Sequence, residues 1–168
     1  MGILLLLDTA QFSCEYGYWN NIRMDVLYAS LLYLENRLIL YERNMVLIDR
    51  KTKLKYYSEL SLKDINAIKS ILRHKTGMVD IFCFNDIVNN YGHDMIDDFI
   101  RFDIGGLWSI MSKKDDTGYY SPGNSLDILI LLKKLEMYII DPDLQRDIVQ
   151  IKKVFNHSVA TRKNVQLL

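Results

Sequence analysis

The amino-acid sequence predicts an α+β fold. We expect a single compact domain, mostly helical, in which a short N-terminal β-hairpin and a second hairpin pack against four to five helices. The composition, with 49% hydrophobic and 25% charged residues over 168 positions, is typical of a globular chain that buries a substantial core. Short apolar segments are joined by polar turns, and elsewhere apolar residues recur at helical spacings of three and four.

The two hairpins are predicted from short segments that flank turns. Residues 3–7 form a continuous apolar run, and residues 12–16 alternate large and small side chains after the turn-like segment 8–11. Residues 45–57 place two further apolar segments on either side of a polar turn. Each pair is expected to form an antiparallel ribbon.

The helices are predicted from periodicity and from capping residues. Ser61 and Asp141 are suitable N-caps, and Pro142 fits the first position of the helix that Asp141 begins. Residues 78–88 alternate like a strand but also present one helical apolar face, and periodicity alone does not decide between them. The predicted helices cover residues 20–41, 61–74, 93–102, 126–140 and 141–155.

The domain organisation follows from the absence of a linker or repeat in the sequence. We expect residues 1–168 to form one domain, with residues 159–168 as a frayed or loosely docked end. The apolar run that follows Met1 stops at Asp8, so it is too short for a membrane span and lacks the features of a signal peptide. With only two cysteines, read as buried structural thiols, the chain is expected in the cytoplasm of a cell, including a cell infected by a virus or phage.

Charge and motif content narrow the classes of function. The formal net charge is zero, which disfavours generic nucleic-acid binding and removes one guard against self-association, so a homo-oligomer is compatible with the sequence. Glycine-rich phosphate-binding motifs and paired CxxC motifs are absent from the sequence. We therefore expect no cofactor and no membrane partner.

One acidic cluster offers a metal-binding alternative. His93, Asp94, Asp97 and Asp98 are spaced so that a helix would place their side chains on neighbouring faces, and imidazole and carboxylate groups bind divalent cations. Carboxylates also stabilise the first turn of a helix through its dipole. The cluster is therefore read either as an acidic helix start or as a metal site.

The His93-Asp94 pair also resembles the motif of the HD phosphohydrolases. That resemblance implies an all-α, metal-dependent enzyme in which His74 supplies the upstream histidine and Asp143 or Asp147 the distal aspartate. The sequence departs from the family where Asn90-Tyr91-Gly92 precedes the pair and Met95 follows it. The resemblance covers four residues.

Aromatic residues suggest a binding surface. Tyr16, Tyr18 and Trp19 lie at the predicted junction between hairpin and helix, and Arg23 follows Trp19 after one helical turn. Such side chains either cover the core or anchor a partner. The candidate binding residues are Tyr16, Tyr18, Trp19, Arg23, Trp108, Tyr119 and Tyr120.

The sequence therefore favours a non-enzymatic protein-interaction module, such as an inhibitor, adaptor or immunity-type protein, with another protein as its partner. The first alternative is a metal-dependent phosphohydrolase that uses the cluster of His93, Asp94, Asp97 and Asp98. The second is a small-ligand sensor or sequestering protein with an aromatic pocket for a nucleotide-like molecule.

Overall fold

The computed structural model describes residues 2–45, 105–111 and 118–168, and the side chains of the first range as far as residue 36. Within these residues it has mixed helix and strand, with four helices and a four-stranded antiparallel sheet, as an α+β fold predicts. The elements are β1 (Gly2–Leu7), β2 (Ala10–Glu15), α1 (Tyr16–Met45), α2 (Gly106–Met111), β3 (Gly118–Tyr120), α3 (Pro122–Lys134), α4 (Pro142–Thr161) and β4 (Val165–Leu167).

The N-terminal hairpin is confirmed, with a tighter turn than the sequence predicts. Leu7 pairs with Ala10, so Asp8 and Thr9 alone form the turn. Asp8 has a φ of 51°, a left-handed conformation that aspartate and asparagine tolerate better than most residues. The other predicted hairpin, over residues 45–57, lies outside the described residues, as do segment 78–88 and the helices expected over 61–74 and 93–102.

The sheet has the strand order β2-β1-β4-β3, so the last strand in the sequence lies inside it. Leu5 pairs with Leu167, and Leu4 and Leu168 exchange two backbone hydrogen bonds of 2.9 and 3.0 Å. The expectation that residues 159–168 are frayed is therefore wrong. Three residues are too few for alternation to be recognised, and this strand is stabilised by its two neighbours rather than by local propensity.

The core lies between one face of the sheet and the helices. Ile3, Leu5 and Leu7 of β1 point inward with the apolar residues of the other strands, and α4 packs against this face. The ring of Phe155 on α4 meets that of Tyr120 on β3 edge to face at 5.3 Å. The α4 residues that are buried are Leu144, Ile148, Ile151, Val154, Phe155 and Ser158.

The helix ends follow capping chemistry more closely than hydrophobic periodicity. The α4 helix starts as predicted, with the carboxylate of Asp141 accepting from the backbone of Asp143 and Leu144, but it runs to Thr161 rather than to residue 155. The α3 helix starts four residues earlier than expected because Ser121 and Asn124 form a capping box. It ends at Lys134, six residues before the predicted end.

Buried hydroxyl groups connect α3, α4 and the turn before β4. The Oγ of Ser158 donates to the carbonyl of Lys163 at 2.6 Å and lies 3.0 Å from the Oγ of Ser125. Arg162 adopts a left-handed conformation with a φ of 56°, which ends α4 and turns the chain towards the sheet. These contacts fix the direction in which β4 enters the sheet.

Two helix backbones come close together at Gly106. A Cβ atom built on Gly106 would lie 2.2 Å from the carbonyl oxygen of Asp127, on the neighbouring α3 helix. No real side chain accepts that distance, so any other residue must separate α2 from α3. Gly17 on α1 differs, since a Cβ there would meet no atom within 4 Å.

We predict that Gly106→Ala lowers the free energy of unfolding by about 1–3 kcal/mol, because the added methyl group overpacks the crossing of the two helices. Gly17→Ala is the matched control and should raise stability by about 0.5–1 kcal/mol through helix propensity. Urea unfolding followed by circular dichroism measures both. Equal effects of the two substitutions would contradict the close approach at Gly106.

Candidate binding surface

The outer face of the sheet, opposite the core, carries a contiguous group of apolar side chains. Leu4 and Leu6 are half-buried there, while Tyr119 and Leu168 are 55% and 53% exposed. Leu4 pairs with Leu168, while in the next row Gln166 pairs with both Leu6 and Tyr119 and therefore lies between them. We call Leu4, Leu6, Tyr119 and Leu168 the outer-face patch.

Polar side chains of the described strands lie beside and within the outer-face patch, and exposed Glu15 lies on the same face of β2 next to Gly2. Gln11 and Ser13 pair with Leu6 and Leu4 from β2, and Gln166 lies between Leu6 and Tyr119. All three are exposed. Apolar and tyrosine side chains without charges at the centre are the composition that distinguishes the middle of protein interfaces from ordinary surface.

A shallow depression borders the outer-face patch at one end of the hairpin. It has a volume of about 900 Å³ and is open to solvent. Leu4 of the patch contributes to its lining, together with Gly2, Ile3 and the segment from Ser13 to Gly17, which includes Glu15. The surface therefore combines a flat apolar region with a concave end that a side chain of a partner can enter.

The structure divides the aromatic candidates into buried and exposed groups. Trp19 and Tyr120 are fully buried, so they belong to the core and not to a binding surface. Trp19 packs against Phe12 with ring centroids 6.2 Å apart, which joins α1 to β2. Tyr16 is half-buried, and Tyr18 and Trp108 are partly exposed on α1 and α2. Of these candidates only Tyr119 lies within the outer-face patch.

Arg23 is also buried, contrary to its predicted role as a surface anchor. Its Nη2 donates to the carbonyl of Met111, the last residue of α2, at 2.7 Å, and its Nη1 lies 3.3 Å from Oδ1 of Asn20. The guanidinium thus supplies a donor to a helix end, where carbonyl groups lack partners within the helix. The spacing Trp19, Arg23, Val26 follows the buried side of α1 and could have revealed this position.

We predict that Arg23→Met lowers the free energy of unfolding by about 1–3 kcal/mol, because the buried carbonyl of Met111 loses its donor. Arg146→Met provides the control, since Arg146 is an exposed residue paired with Asp143 on α4. Breaking such a surface pair should cost less than about 1 kcal/mol. Thermal and urea unfolding measure both variants, and a tolerated Arg23→Met would show that the guanidinium does not support α2.

Two titratable groups close to the depression, Tyr18 and Cys14, have raised pKa values. The hydroxyl of Tyr18 donates to Oδ2 of Asp147 at 2.5 Å, and this bond, with partial burial, raises the pKa of Tyr18 to about 12. Burial, with a smaller effect of Asp147, raises the pKa of the Cys14 thiol to about 11. A thiol with such a pKa stays protonated at neutral pH and is a poor nucleophile.

An ion-pair cluster joins the hairpin turn to the end of α4. Asp8 lies 3.0 Å from Nζ of Lys163 and 3.2 Å from Nε2 of His157. Hydrogen bonds with Lys163, which has the larger effect, and with His157 hold the pKa of the Asp8 carboxyl below its ordinary value. Because the pKa is lower in the folded chain, ionised Asp8 stabilises the fold above pH about 4, and this stabilisation disappears as the pH falls through the folded pKa.

We therefore predict that Asp8→Asn is less stable than the wild type at neutral pH and equally stable in acid. Asparagine tolerates the positive φ of this position, so the comparison isolates the charge. Urea unfolding at pH values from about 7 down to 2 measures the difference. A difference that stays constant over this range would exclude a role for the ionised carboxylate.

No metal site is found in the part of the chain that the structure describes. There, no three or more His, Cys, Asp or Glu side chains come together in an arrangement that could hold a metal ion. The predicted metal-binding residues that lie outside that part are His74, His93, Asp94, Asp97 and Asp98. Asp143 and Asp147, each a possible distal aspartate of the HD motif, pair with Arg146 and Tyr18 respectively.

Among the described helices, none is both long enough and apolar enough to cross a membrane.

Comparisons of the chain with models of known protein families, with curated proteins and with solved structures found no match.

Proposed function

We propose that this protein is a non-enzymatic interaction module that binds another protein through the outer-face patch. The observation that carries the proposal is that Leu4, Leu6, Tyr119 and Leu168 share one face of three paired strands. An antiparallel sheet with one solvent face normally alternates apolar and polar residues along each strand. Here β1 is apolar on both faces.

The residue types of β1 support this proposal independently of how exposed Leu4 and Leu6 are. Gly2-Ile3-Leu4-Leu5-Leu6-Leu7 has no polar position, a pattern typical of strands that are covered on both sides. The helices cover the inner residues Ile3, Leu5 and Leu7 completely, whereas Leu4 and Leu6 remain half-buried. A partner that covers the outer face would bury both leucines together with the ring of Tyr119.

The chemistry of the surface indicates the kind of partner. The side chains of Leu4, Leu6, Tyr119 and Leu168 are uncharged, the adjoining Gln11, Ser13 and Gln166 offer hydrogen bonds, and Glu15 places a negative charge at one end of the surface. A nucleic acid would require lysine or arginine contacts to phosphate. The patch fits an apolar protein surface with hydrogen-bonding groups at its margin. An inhibitor, adaptor or immunity-type role in the cytoplasm is consistent with such binding, and the few cysteines fit that compartment.

Site-specific crosslinking tests where the partner binds. A photoreactive p-benzoylphenylalanine replaces Tyr119 in one protein and Arg146, exposed on α4, in the control. The partner is identified as the protein crosslinked from position 119 and not from position 146. A partner that crosslinks only from position 146 would contradict the proposal.

Binding constants of that partner then test the patch by mutation. We predict that Leu168→Asp and Tyr119→Ser each weaken binding at least about tenfold, because they remove apolar contact at the centre of the interface. Val149→Asp, at an exposed apolar position on α4, should leave the affinity unchanged. Circular dichroism confirms folding of each variant. If the folded patch variants bind with wild-type affinity, the outer face is not the binding surface.

A further inference from the structure

The α3 helix presents apolar side chains to solvent as well as to the core. Leu126 and Ile130 are exposed on the side of the helix opposite the buried Ile128, Leu131 and Leu132. Lys133 and Met137 follow at spacings of three and four, and Met137 is 88% exposed. We call Leu126, Ile130, Lys133 and Met137 the α3 stripe.

Turns closed by backbone hydrogen bonds follow the last residue of α3. The amide of Leu135 donates to the carbonyl of Leu131 at 3.0 Å, and the amide of Ile139 donates to that of Leu135 at 3.1 Å. Residues 135–138 form turns, and the amide of Tyr138 also donates to the carbonyl of Leu135 at 2.8 Å, so Met137 lies just beyond the helical part of the stripe. The α3 stripe lies on a different layer of the protein from the outer-face patch.

Charges beside the α3 stripe are arranged so that two copies of the helix complement each other. Asp127 lies in the first half of α3, and Lys134 lies seven residues later on the same flank. In an antiparallel pair of helices related by a two-fold axis at Ile130, each flank meets the same flank of the other copy. Asp127 then lies beside the second copy's Lys134, and this pairing occurs twice.

A parallel pair would have the opposite electrostatic outcome. In a parallel pair each residue of the α3 stripe would lie against its own equivalent, which places the Lys133 side chains of the two copies together. Lys134 also takes part in an interaction within its own chain, and attraction across the axis requires only its positive charge. The charge pattern therefore selects the antiparallel arrangement.

We propose that the α3 stripe is an interface between two copies of this chain, packed antiparallel about a two-fold axis at Ile130. Two-fold symmetry requires a self-complementary surface, and the stripe with its Asp127–Lys134 flank meets that requirement. The net charge of zero means that two copies do not repel each other overall. The small number of contributing residues makes this a weak dimer, with a dissociation constant in the micromolar range.

Sedimentation of the purified protein tests the dimer directly. Between about 1 and 500 µM, the wild type should change from monomer to dimer. Ile130→Asp places two carboxylates at the axis and should weaken association at least about tenfold. Ile130→Ser is a second variant in case the charge disturbs folding, and it should weaken association in the same direction.

Leu168→Asp is the matched control because it introduces the same charge at an exposed leucine on the opposite face of the sheet. It should dimerise like the wild type. This control also separates the two proposals, since Leu168→Asp is expected to impair partner binding alone and Ile130→Asp to impair dimerisation alone. A wild type that stays monomeric throughout the concentration range would overturn the dimer and leave the outer-face patch untouched.

A charge exchange tests the antiparallel arrangement. Asp127→Lys and Lys134→Glu should each weaken self-association, because each places like charges together twice across the axis. A mixture of the two variants should dimerise with an affinity close to that of the wild type, since a lysine then faces a carboxylate at both positions. Failure of the mixture to associate, with both variants folded, would overturn the proposed interface.

Discussion

The described sheet depends on pairing between β1 and β4, which lie at opposite ends of the described residues. Leu4 and Leu168 exchange backbone hydrogen bonds, and β4 then offers its other edge to β3. Without β4 the hairpin and β3 would have no neighbour in common. The inner face of this sheet is the surface on which α4 packs, and the burial of Phe155 against Tyr120 follows from it. Several contacts near the end of α4 therefore serve to guide β4 into position.

The contacts near the end of α4 that position β4 are polar, although they lie next to an apolar core. The hydroxyl of Ser158 holds the carbonyl of Lys163, while the side chain of Lys163 reaches Asp8 in the hairpin turn. Arg162 supplies the left-handed residue between them. Polar groups of this kind add little net stability by themselves, but an alternative path of the chain would leave the buried Ser158 hydroxyl without its acceptor, the Lys163 carbonyl. The direction of the last strand is thus specified more strongly than its short length would suggest.

The parts of the fold that could be predicted from the sequence are those fixed by local chemistry. The N-terminal hairpin and the start of α4 at Asp141 and Pro142 each depend on a few neighbouring residues. By contrast, β4 is three residues long and owes its structure to strands that are distant in sequence, so no local pattern identifies it. Trp19 and Arg23 are expected at the surface because of their residue types, although their spacing with Val26 follows the buried side of α1.

The sequence likewise predicts only some of the residues of the outer-face patch. Tyr119 was identified by its residue type, and the unbroken apolar run of β1 contained the signal for Leu4 and Leu6. No sequence pattern points to Leu168 as a surface residue, because its position beside Leu4 depends on the register between strands that are distant in the sequence. Binding surfaces built from several strands share this difficulty, since neighbouring residues on such a surface are rarely neighbours in the chain.

The position of β4 has a consequence for biosynthesis. A ribosome releases β1 and β2 early, yet the strand that pairs with the free edge of β1 emerges only after nearly all of the described chain has been made. Until then the nascent hairpin displays an apolar, hydrogen-bonding edge, the kind of surface that chaperones bind and that aggregates recruit. Formation of the complete sheet is thus delayed until β4 has been synthesised.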